Sequence, residues 1–133
     1  YNYCAASAGT YCQAGGAGED VADTITDSPF DVCPKGWRMP TGGASGEYQA
    51  LYNQYNNETA SSSASLQYAL STPLSGIFYD STQNYLGTYG DSWSSTYSDG
   101  NQMYFLAVSS TGVGPRNGYY RYYGISVRCV LDQ

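Results

Sequence analysis

The sequence predicts a disulfide-stapled α+β domain in which one or two short helices pack on a mostly antiparallel, twisted sheet. Three observations lead to this prediction. An amphipathic helical repeat occupies the first half of the chain, a series of strand-like segments occupies the second half, and four cysteines are spread over 133 residues. Helices followed by a run of strands are typical of the α+β class. A chain of this length is expected to form a single domain, residues 1–133.

The N-terminal quarter is expected to lack long regular elements. Residues 1–12 are predicted to form a strand or hairpin, and residues 13–32 an irregular acidic loop. The loop carboxylates are the following: Glu19, Asp20, Asp23, Asp27 and Asp31. Such oxygens are suited to calcium, but their spacing is not that of an EF-hand. We therefore expect a solvated acidic loop and no metal site.

The helical part of the domain begins after a glycine-rich turn. Apolar residues recur at i, i+3, i+4 and i+7 as Tyr48, Leu51, Tyr52 and Tyr55. This spacing predicts one apolar face of a helix, with Ser45 as its cap and Asn56-Asn57 at its end. A second short helix is predicted over 61–70, and Pro73 stops it.

Strands are predicted from Ile77–Tyr79 onward, at 85–89, 93–97 and 102–109. The sequence Asp99-Gly100 between apolar runs is a strong hairpin signal. The segment 102–109 is apolar at consecutive positions, which predicts a central strand covered on both faces. Residues 110–118 are expected to form a surface loop.

A last strand is predicted over 119–130, with Ile125, Val127 and Cys129 directed inward. Both tryptophans, Trp37 and Trp93, are expected in the core. Arg38 and Arg128 are expected to have structural roles.

Tyrosine is the residue that must supply much of the core. Leu, Ile, Val and Phe together make up only 19 of 133 residues, whereas there are 16 Tyr and 2 Trp. Aromatic rings bury large areas, so a packed core is still expected. A surface of Tyr, Ser, Gly and Asn is also the composition of antibody binding sites. The composition therefore suits either a β-rich secreted module or a recognition surface.

Charge and residue inventory exclude several classes of function. Five Lys and Arg against eleven acids give a net charge of −6, so nucleic acid is not an expected partner. No apolar run is long enough to span a membrane. The chain contains no His, so no Ser-His-Asp or Cys-His nucleophile is available. We expect no enzyme activity and no cofactor.

The best candidate binding residues follow the predicted glycine-rich loop. They are Arg116, Tyr119, Tyr120, Arg121, Tyr122 and Tyr123. Consecutive aromatics on a strand point to both faces, so about half of them should be exposed. Exposed, clustered rings mark interaction sites. The alternative is that these tyrosines simply belong to the core.

The four cysteines, Cys4, Cys12, Cys33 and Cys129, allow three pairings. Cys4 and Cys12 are separated by seven mostly small residues, so this segment can fold back as a short loop. Without His or a close pair of cysteines, a zinc site is a poor alternative. Disulfides imply an oxidising compartment, and we expect an extracellular or cell-surface protein.

Four motifs together resemble the Fibrobacter succinogenes major paralogous domain, a module of bacterial surface and secreted proteins. In chain order they are CPKGWRMPTGGASGEYQALY, SGIFYDS, SWSST and GISVRCV. The same order of motifs is similar to C-type-lectin-like modules. The resemblance implies a C-type-lectin-like fold in which the C-terminal strand pairs back near the start. It also implies disulfides Cys33–Cys129 and Cys4–Cys12.

Three functions are compatible with this resemblance. The first is a non-catalytic binding or adhesion module, the head of a bacterial surface or pilin-like protein that binds a glycan or a protein. The second is a purely structural subunit that contacts neighbouring subunits. The third, by analogy with formylglycine-generating enzymes, needs a reactive cysteine pair, whereas all four cysteines here are expected to be structural. The family has a further strand-forming segment upstream, so the native protein is expected to extend beyond Tyr1.

Overall fold

The chain forms a mixed α+β structure around a three-stranded antiparallel sheet, as the sequence predicts. The computed structural model describes residues 1–11, 26–56, 68, 70–109 and 112–132. Within these ranges two short helices and seven strands are defined. They are α1 (Tyr3–Ala6), β1 (Trp37–Arg38), α2 (Glu47–Asn56), β2 (Ile77–Tyr79), β3 (Thr82–Asn84), β4 (Ser92–Asp99), β5 (Gln102–Ser109), β6 (Gly112–Tyr120) and β7 (Val130–Leu131).

Strand β5 lies at the centre of the sheet, between β4 and β6. On one face, Met103 and Phe105 pack into the larger core cluster. On the other face, Leu106 and Val108 pack with Tyr48 of helix α2. The prediction of a central strand covered on both faces is therefore confirmed, and α2 covers the second face. The remaining strands form two short ribbons, β1 with β7 and β2 with β3, and each pair is antiparallel.

The end of the sheet differs from the prediction. The segment expected to be a loop is strand β6, which pairs with β5 over most of its length. The strand expected over 119–130 is not formed, because β6 ends at Tyr120 and the chain turns there. Glycine is depleted in strands, but the backbone hydrogen bonds of the β5–β6 ladder outweigh that preference. Residues 110 and 111 of the predicted loop lie outside the described residues.

Two other predicted strands are wrong. At the N-terminus the chain forms helix α1, in which Asn2 Oδ1 accepts a hydrogen bond from Ala5 N at 3.0 Å. Asn is a favoured N-cap because its side chain satisfies a free backbone N–H. Residues 85–89 form turns closed by the Tyr89 N–H, which donates to Tyr85 O at 3.1 Å. Tyr85 has a positive φ of 57°, which an extended strand cannot contain.

Trp93 is fully buried, as predicted, and joins three parts of the chain. Its indole Nε1–H donates to Tyr1 O at 2.9 Å, and its carbonyl oxygen accepts from the Tyr48 hydroxyl at 3.0 Å. Edge-to-face ring contacts join it to Tyr3 at 5.2 Å and to Phe105 at 6.4 Å between centroids. The N-terminal segment, α2 and β5 therefore all contact one residue.

Trp37 is not in the core, and the prediction that it is buried was wrong. Its ring is 48% exposed. Trp37 lies opposite Leu131 in the β1–β7 ribbon, and Leu131 is also exposed. A two-stranded ribbon has an outward face that the neighbouring cores do not reach. Trp37 and its cross-strand partner Leu131 therefore both face solvent.

Helix α2 is held at its first residue by Arg38 and Thr41. Two hydrogen bonds join Arg38 to the Glu47 carboxylate, at 2.6 and 2.8 Å. Glu47 N donates to Thr41 Oγ1 at 2.9 Å, and the carboxylate accepts from Thr41 N. These bonds, led by the Arg38 guanidinium, lower the pKa of Glu47 to about 2. Arg38 also pairs with Asp132, so its structural role is confirmed, whereas the expected cap Ser45 is exposed.

The long disulfide implied by the family resemblance is present between Cys33 and Cys129. It lies beside the β1–β7 ribbon and joins the middle of the chain to its C-terminal segment. Cys4 is also disulfide-bonded, and its expected partner Cys12 lies outside the described residues. So do most of the acidic loop and most of the predicted helix over 61–70.

Asp91 is the one described carboxylate that is completely buried. Its Oδ1 accepts from Val108 N at 3.2 Å, and no described residue bonds its Oδ2. Burial raises the pKa of this carboxyl to about 7 from an ordinary 3.8, and the bond from Val108 opposes the shift. The carboxyl is therefore protonated in the folded protein under weakly acidic conditions.

We predict that replacing both Cys33 and Cys129 by Ser lowers the free energy of unfolding by about 4–5 kcal/mol, because the bridge closes a long loop in the unfolded chain. Chemical denaturation of the double variant measures this loss. The matched control is the double variant at Cys4 and Cys12, whose shorter expected loop corresponds to roughly 2.5 kcal/mol. A larger loss in the control would contradict the prediction.

We predict that stability falls as pH rises from about 5 to 7. In this window the folded protein holds a proton on Asp91 that the unfolded chain has released. Stability therefore declines with increasing pH by up to about 1.4 kcal/mol per pH unit. The pKa of Glu47 is lowered in the folded protein, so this residue makes stability fall as pH decreases. Its effect appears only below its ordinary pKa, outside this window. Denaturation curves of Asp91→Asn should show a flatter dependence over the same window, and an unchanged slope would refute the assignment.

Candidate functional site

Five tyrosines from three segments form a contiguous group of rings, called here the tyrosine cluster. Its members are Tyr79, Tyr119, Tyr120, Tyr122 and Tyr123. Strand β2 provides the first, the end of β6 provides the next two, and the turn after β6 provides the last two. The Tyr123 N–H donates to Tyr120 O at 3.0 Å and closes this turn. The site is therefore built where β6 ends beside the β2–β3 ribbon.

The inner part of the cluster is fixed to the protein core. Tyr119 stacks on Phe105 with ring centroids 4.0 Å apart and planes 5° from parallel. Tyr123 contacts Tyr119 at 5.1 Å and Tyr79 at 5.2 Å. Since Phe105 contacts Trp93 in turn, a continuous series of rings runs from the core to the cluster. Rings held in this way lose little conformational entropy when they bind a partner.

The outer part of the cluster consists of Tyr120 and Tyr122. Their rings stack at 5.5 Å, and Tyr122 meets Tyr123 edge to face at 4.8 Å. A strand would send successive side chains to opposite faces. Because β6 ends at Tyr120, the turn instead gathers these three rings in one place. Tyr120 is 41% exposed, so the cluster presents aromatic surface to solvent.

Arg121 lies within the same stretch of sequence but points into the protein. It is only 2% exposed, and its Nη2 donates to Asn101 Oδ1 at 3.3 Å. Its backbone N–H donates to Asn101 O, and its carbonyl accepts from Tyr3 N. A guanidinium at this depth supports the turn and α1 instead of facing a ligand. Arg121 is therefore not expected to contact a ligand directly.

Arg116 is exposed on β6, between the buried Pro115 and the exposed Asn117. It precedes Tyr119 by three residues, which is roughly 10 Å along a strand. The structure therefore places Arg116 beside the tyrosine cluster and not among its rings. A bulge between β5 and β6 falls at this point of the ladder.

Sequence reasoning missed the contribution of the β2–β3 region. Tyr79 stacks with Tyr123 although 44 positions separate them in the sequence. Tyr85 and Tyr89, in the following turns, form an edge-to-face pair at 5.1 Å. The Tyr85 hydroxyl is the first cause that raises the pKa of Tyr79. No local pattern joins these segments, which meet through the antiparallel Phe78–Gly124 bridge.

The cluster itself consists of uncharged phenols, with the Asp80 carboxylate next to Tyr79. Burial is the main cause that raises the pKa of Tyr119, with a further contribution from Asp91. Burial and then Tyr122 raise the pKa of Tyr123. Such phenols stay protonated near neutral pH and can donate as well as accept hydrogen bonds. Stacking and hydrogen bonding suit recognition of a partner.

In the part of the chain that the structure describes, no group of side chains could hold a metal ion, and no helix is long and apolar enough to cross a membrane. Comparison with protein-family models, with curated proteins and with solved structures finds no match for this chain.

We predict that substitutions of the two arginines of the candidate set differ strongly in their effect on the free energy of unfolding. Arg121→Ala removes a buried, hydrogen-bonded guanidinium and should lower the free energy of unfolding by about 2–4 kcal/mol. Arg116→Ala, at an exposed position of similar chemistry, should change it by less than about 0.5 kcal/mol. Denaturant unfolding of both variants tests this, and equal effects would show that Arg121 has no special structural role.

Proposed function

We propose that this domain is a non-catalytic binding or adhesion module that recognises a glycan or protein on another surface through the tyrosine cluster. The observation that carries the proposal is a solvent-facing group of tyrosine rings anchored to the core through Tyr119 and Phe105. Tyrosine gives a large amphipathic contact area at low entropic cost. Arg116 at the edge of the cluster supplies a charge-assisted hydrogen bond to such a partner.

An extracellular or cell-surface location belongs to the same proposal. The Cys33–Cys129 disulfide is compatible with it, because disulfides persist in oxidising compartments. Pairing of β7 with β1 supports the C-type-lectin-like fold proposed here, in which a C-terminal strand returns to an early one. The four motifs support membership of the Fibrobacter succinogenes major paralogous domain family, whose members occur on bacterial surfaces.

The second candidate function is that of a structural subunit in a filament or surface layer. The exposed pair of Trp37 and Leu131 on the β1–β7 ribbon favours it. Val32, next to the disulfide, is also exposed. Exposed apolar groups of this kind are suited to contacts between subunits. The two functions differ in the surface that they use.

We predict that Tyr120→Ala and Tyr122→Ala each weaken binding of the domain to its partner by about 1–3 kcal/mol, the cost expected for a hot-spot tyrosine. The measurement is binding of the labelled domain to a glycan array and to intact cells, followed by titration of the ligands found. The melting temperature should change little, because both rings lie on the outer side of the cluster.

The matched control is Tyr68→Ala, since Tyr68 is 88% exposed and has no part in the cluster. This variant should bind like the unchanged protein. Loss of binding in all three variants, or in none of them, would sink the assignment of the site. Absence of any ligand, together with self-association that Trp37→Ala abolishes, would favour the structural subunit instead.

A further inference from the structure

A cleft of about 570 Å³ lies beside the tyrosine cluster, between the β2–β3 ribbon and the segment 124–127. This volume falls within the range of small-molecule binding sites. Phe78 and Gln83 line the cleft from the ribbon, and Gly124 and Ser126 line it from the facing segment. Ser75 also lines the cleft. The cleft and the cluster share β2, because Phe78 lines the cleft while Tyr79 stacks in the cluster.

Phe78 provides an apolar platform on one side of the cleft. Its backbone is fixed by two hydrogen bonds with Gly124, at 2.8 and 2.7 Å. A Cβ at position 124 would lie 3.0 Å from Phe78 Cβ, so glycine permits this close approach. The ring is nevertheless 53% exposed. An aromatic ring with a fixed backbone and an open surface is suited to stacking on a ligand.

The polar groups of the cleft retain unused hydrogen-bonding capacity. The hydroxyls of Ser75 and Ser126 lie 2.8 Å apart, and only one of their two protons can lie between them. The other proton is available to a ligand. Gln83 Nε2 donates to Ser75 O at 2.8 Å, which leaves its second amide proton and its Oε1 atom. The cleft therefore offers both donors and acceptors near the ring.

The lining of the cleft carries no Asp, Glu, Lys, Arg or His side chain. A cationic ligand would lack a carboxylate there, and an anionic ligand would meet only the Tyr1 ammonium, which already donates to Ile125 O at 2.8 Å. A purely apolar ligand would leave the hydroxyl pair and the amide unpaired, which is costly when water is displaced. The ligand that fits is neutral, has one apolar face and carries hydroxyl groups around its edge.

We propose that this cleft binds one neutral pyranose unit, with its apolar face on Phe78 and its hydroxyls bonded to the Ser75–Ser126 pair and Gln83. The proposal rests on the proposed binding function, since it makes glycan the class of partner, but it uses a surface separate from the tyrosine rings. The cleft would hold a single sugar, and the tyrosine cluster, on the other face of β2, would contact a different part of the partner.

The test is NMR titration of the ¹⁵N-labelled domain with methyl β-D-glucopyranoside, methyl α-D-mannopyranoside and methyl β-D-galactopyranoside at millimolar concentrations. At least one should shift the amide signals of Gly76, Gly124 and Ser126. Glucuronate, which adds a charge to the same ring, should shift them less. Phe78→Leu, which keeps apolar volume but removes the ring, should weaken binding by about tenfold or more.

Phe30→Leu is the matched control, because Phe30 is an exposed phenylalanine at 66% that does not line the cleft. It should bind like the unchanged protein. Gln83→Ala gives a second weakened variant that retains Phe78. No localised shifts with any of the three sugars, or equal shifts in Phe78→Leu, would overturn the proposal. If Tyr122→Ala alone abolished the shifts, the sugar would belong to the tyrosine cluster, and the proposed function would survive without the cleft.

Discussion

The packing of Trp93 is the interaction on which the rest of the described structure depends. Its ring, its indole N–H and its backbone carbonyl each contact a different part of the chain: β5 and Tyr3, the Tyr1 carbonyl, and Tyr48 of helix α2. A protein with few aliphatic residues must build its interior from large side chains that also carry hydrogen-bonding groups. Tyr3 and Tyr48 do the same, since their buried hydroxyls donate to Ser94 O and Trp93 O. The polar tips of these aromatic residues thus join segments that apolar packing alone would leave unaligned.

The candidate binding surface is an extension of this aromatic core. Phe105 connects Trp93 with Tyr119, and Tyr119 connects it with the outer rings. Aromatic residues therefore stabilise the interior and, in the function proposed above, contact the partner at the surface. The change from buried to exposed rings occurs where β6 ends. The cleft has a different composition, in which the Phe78 ring lies among hydroxyl and amide groups. The two surfaces share β2 but use opposite faces of it, since Phe78 and Tyr79 are consecutive on that strand.

Sequence patterns identified elements wherever a local signal was strong. The heptad-like spacing from Tyr48 predicted α2, and the apolar run at 102–109 predicted β5 and its burial on both faces. The failures have a common cause, which is that tertiary pairing outweighed local preference. The glycines of β6 indicated a loop, but pairing with β5 makes this segment a strand. Trp37 was predicted in the core, but its ribbon has a face open to solvent. At the candidate site, the sequence identified the tyrosines near β6. It could not show that Arg121 points inward or that Tyr79, from a distant segment, joins the cluster, because neither feature has a local sequence pattern.

The closing contacts of the core are very distant in sequence. Tyr1 bonds Ile125, Tyr3 bonds the backbone of Arg121, and Cys33 bonds Cys129. Contacts between remote residues slow folding, because the entropy of closing a long loop is lost before the contacts form. The N-terminal helix and Trp93 are synthesised long before the segment 121–129 that completes their environment. A nascent chain therefore carries an unfinished aromatic interior until residues 121–129 emerge, and the domain is expected to complete its folding only after that segment has been synthesised.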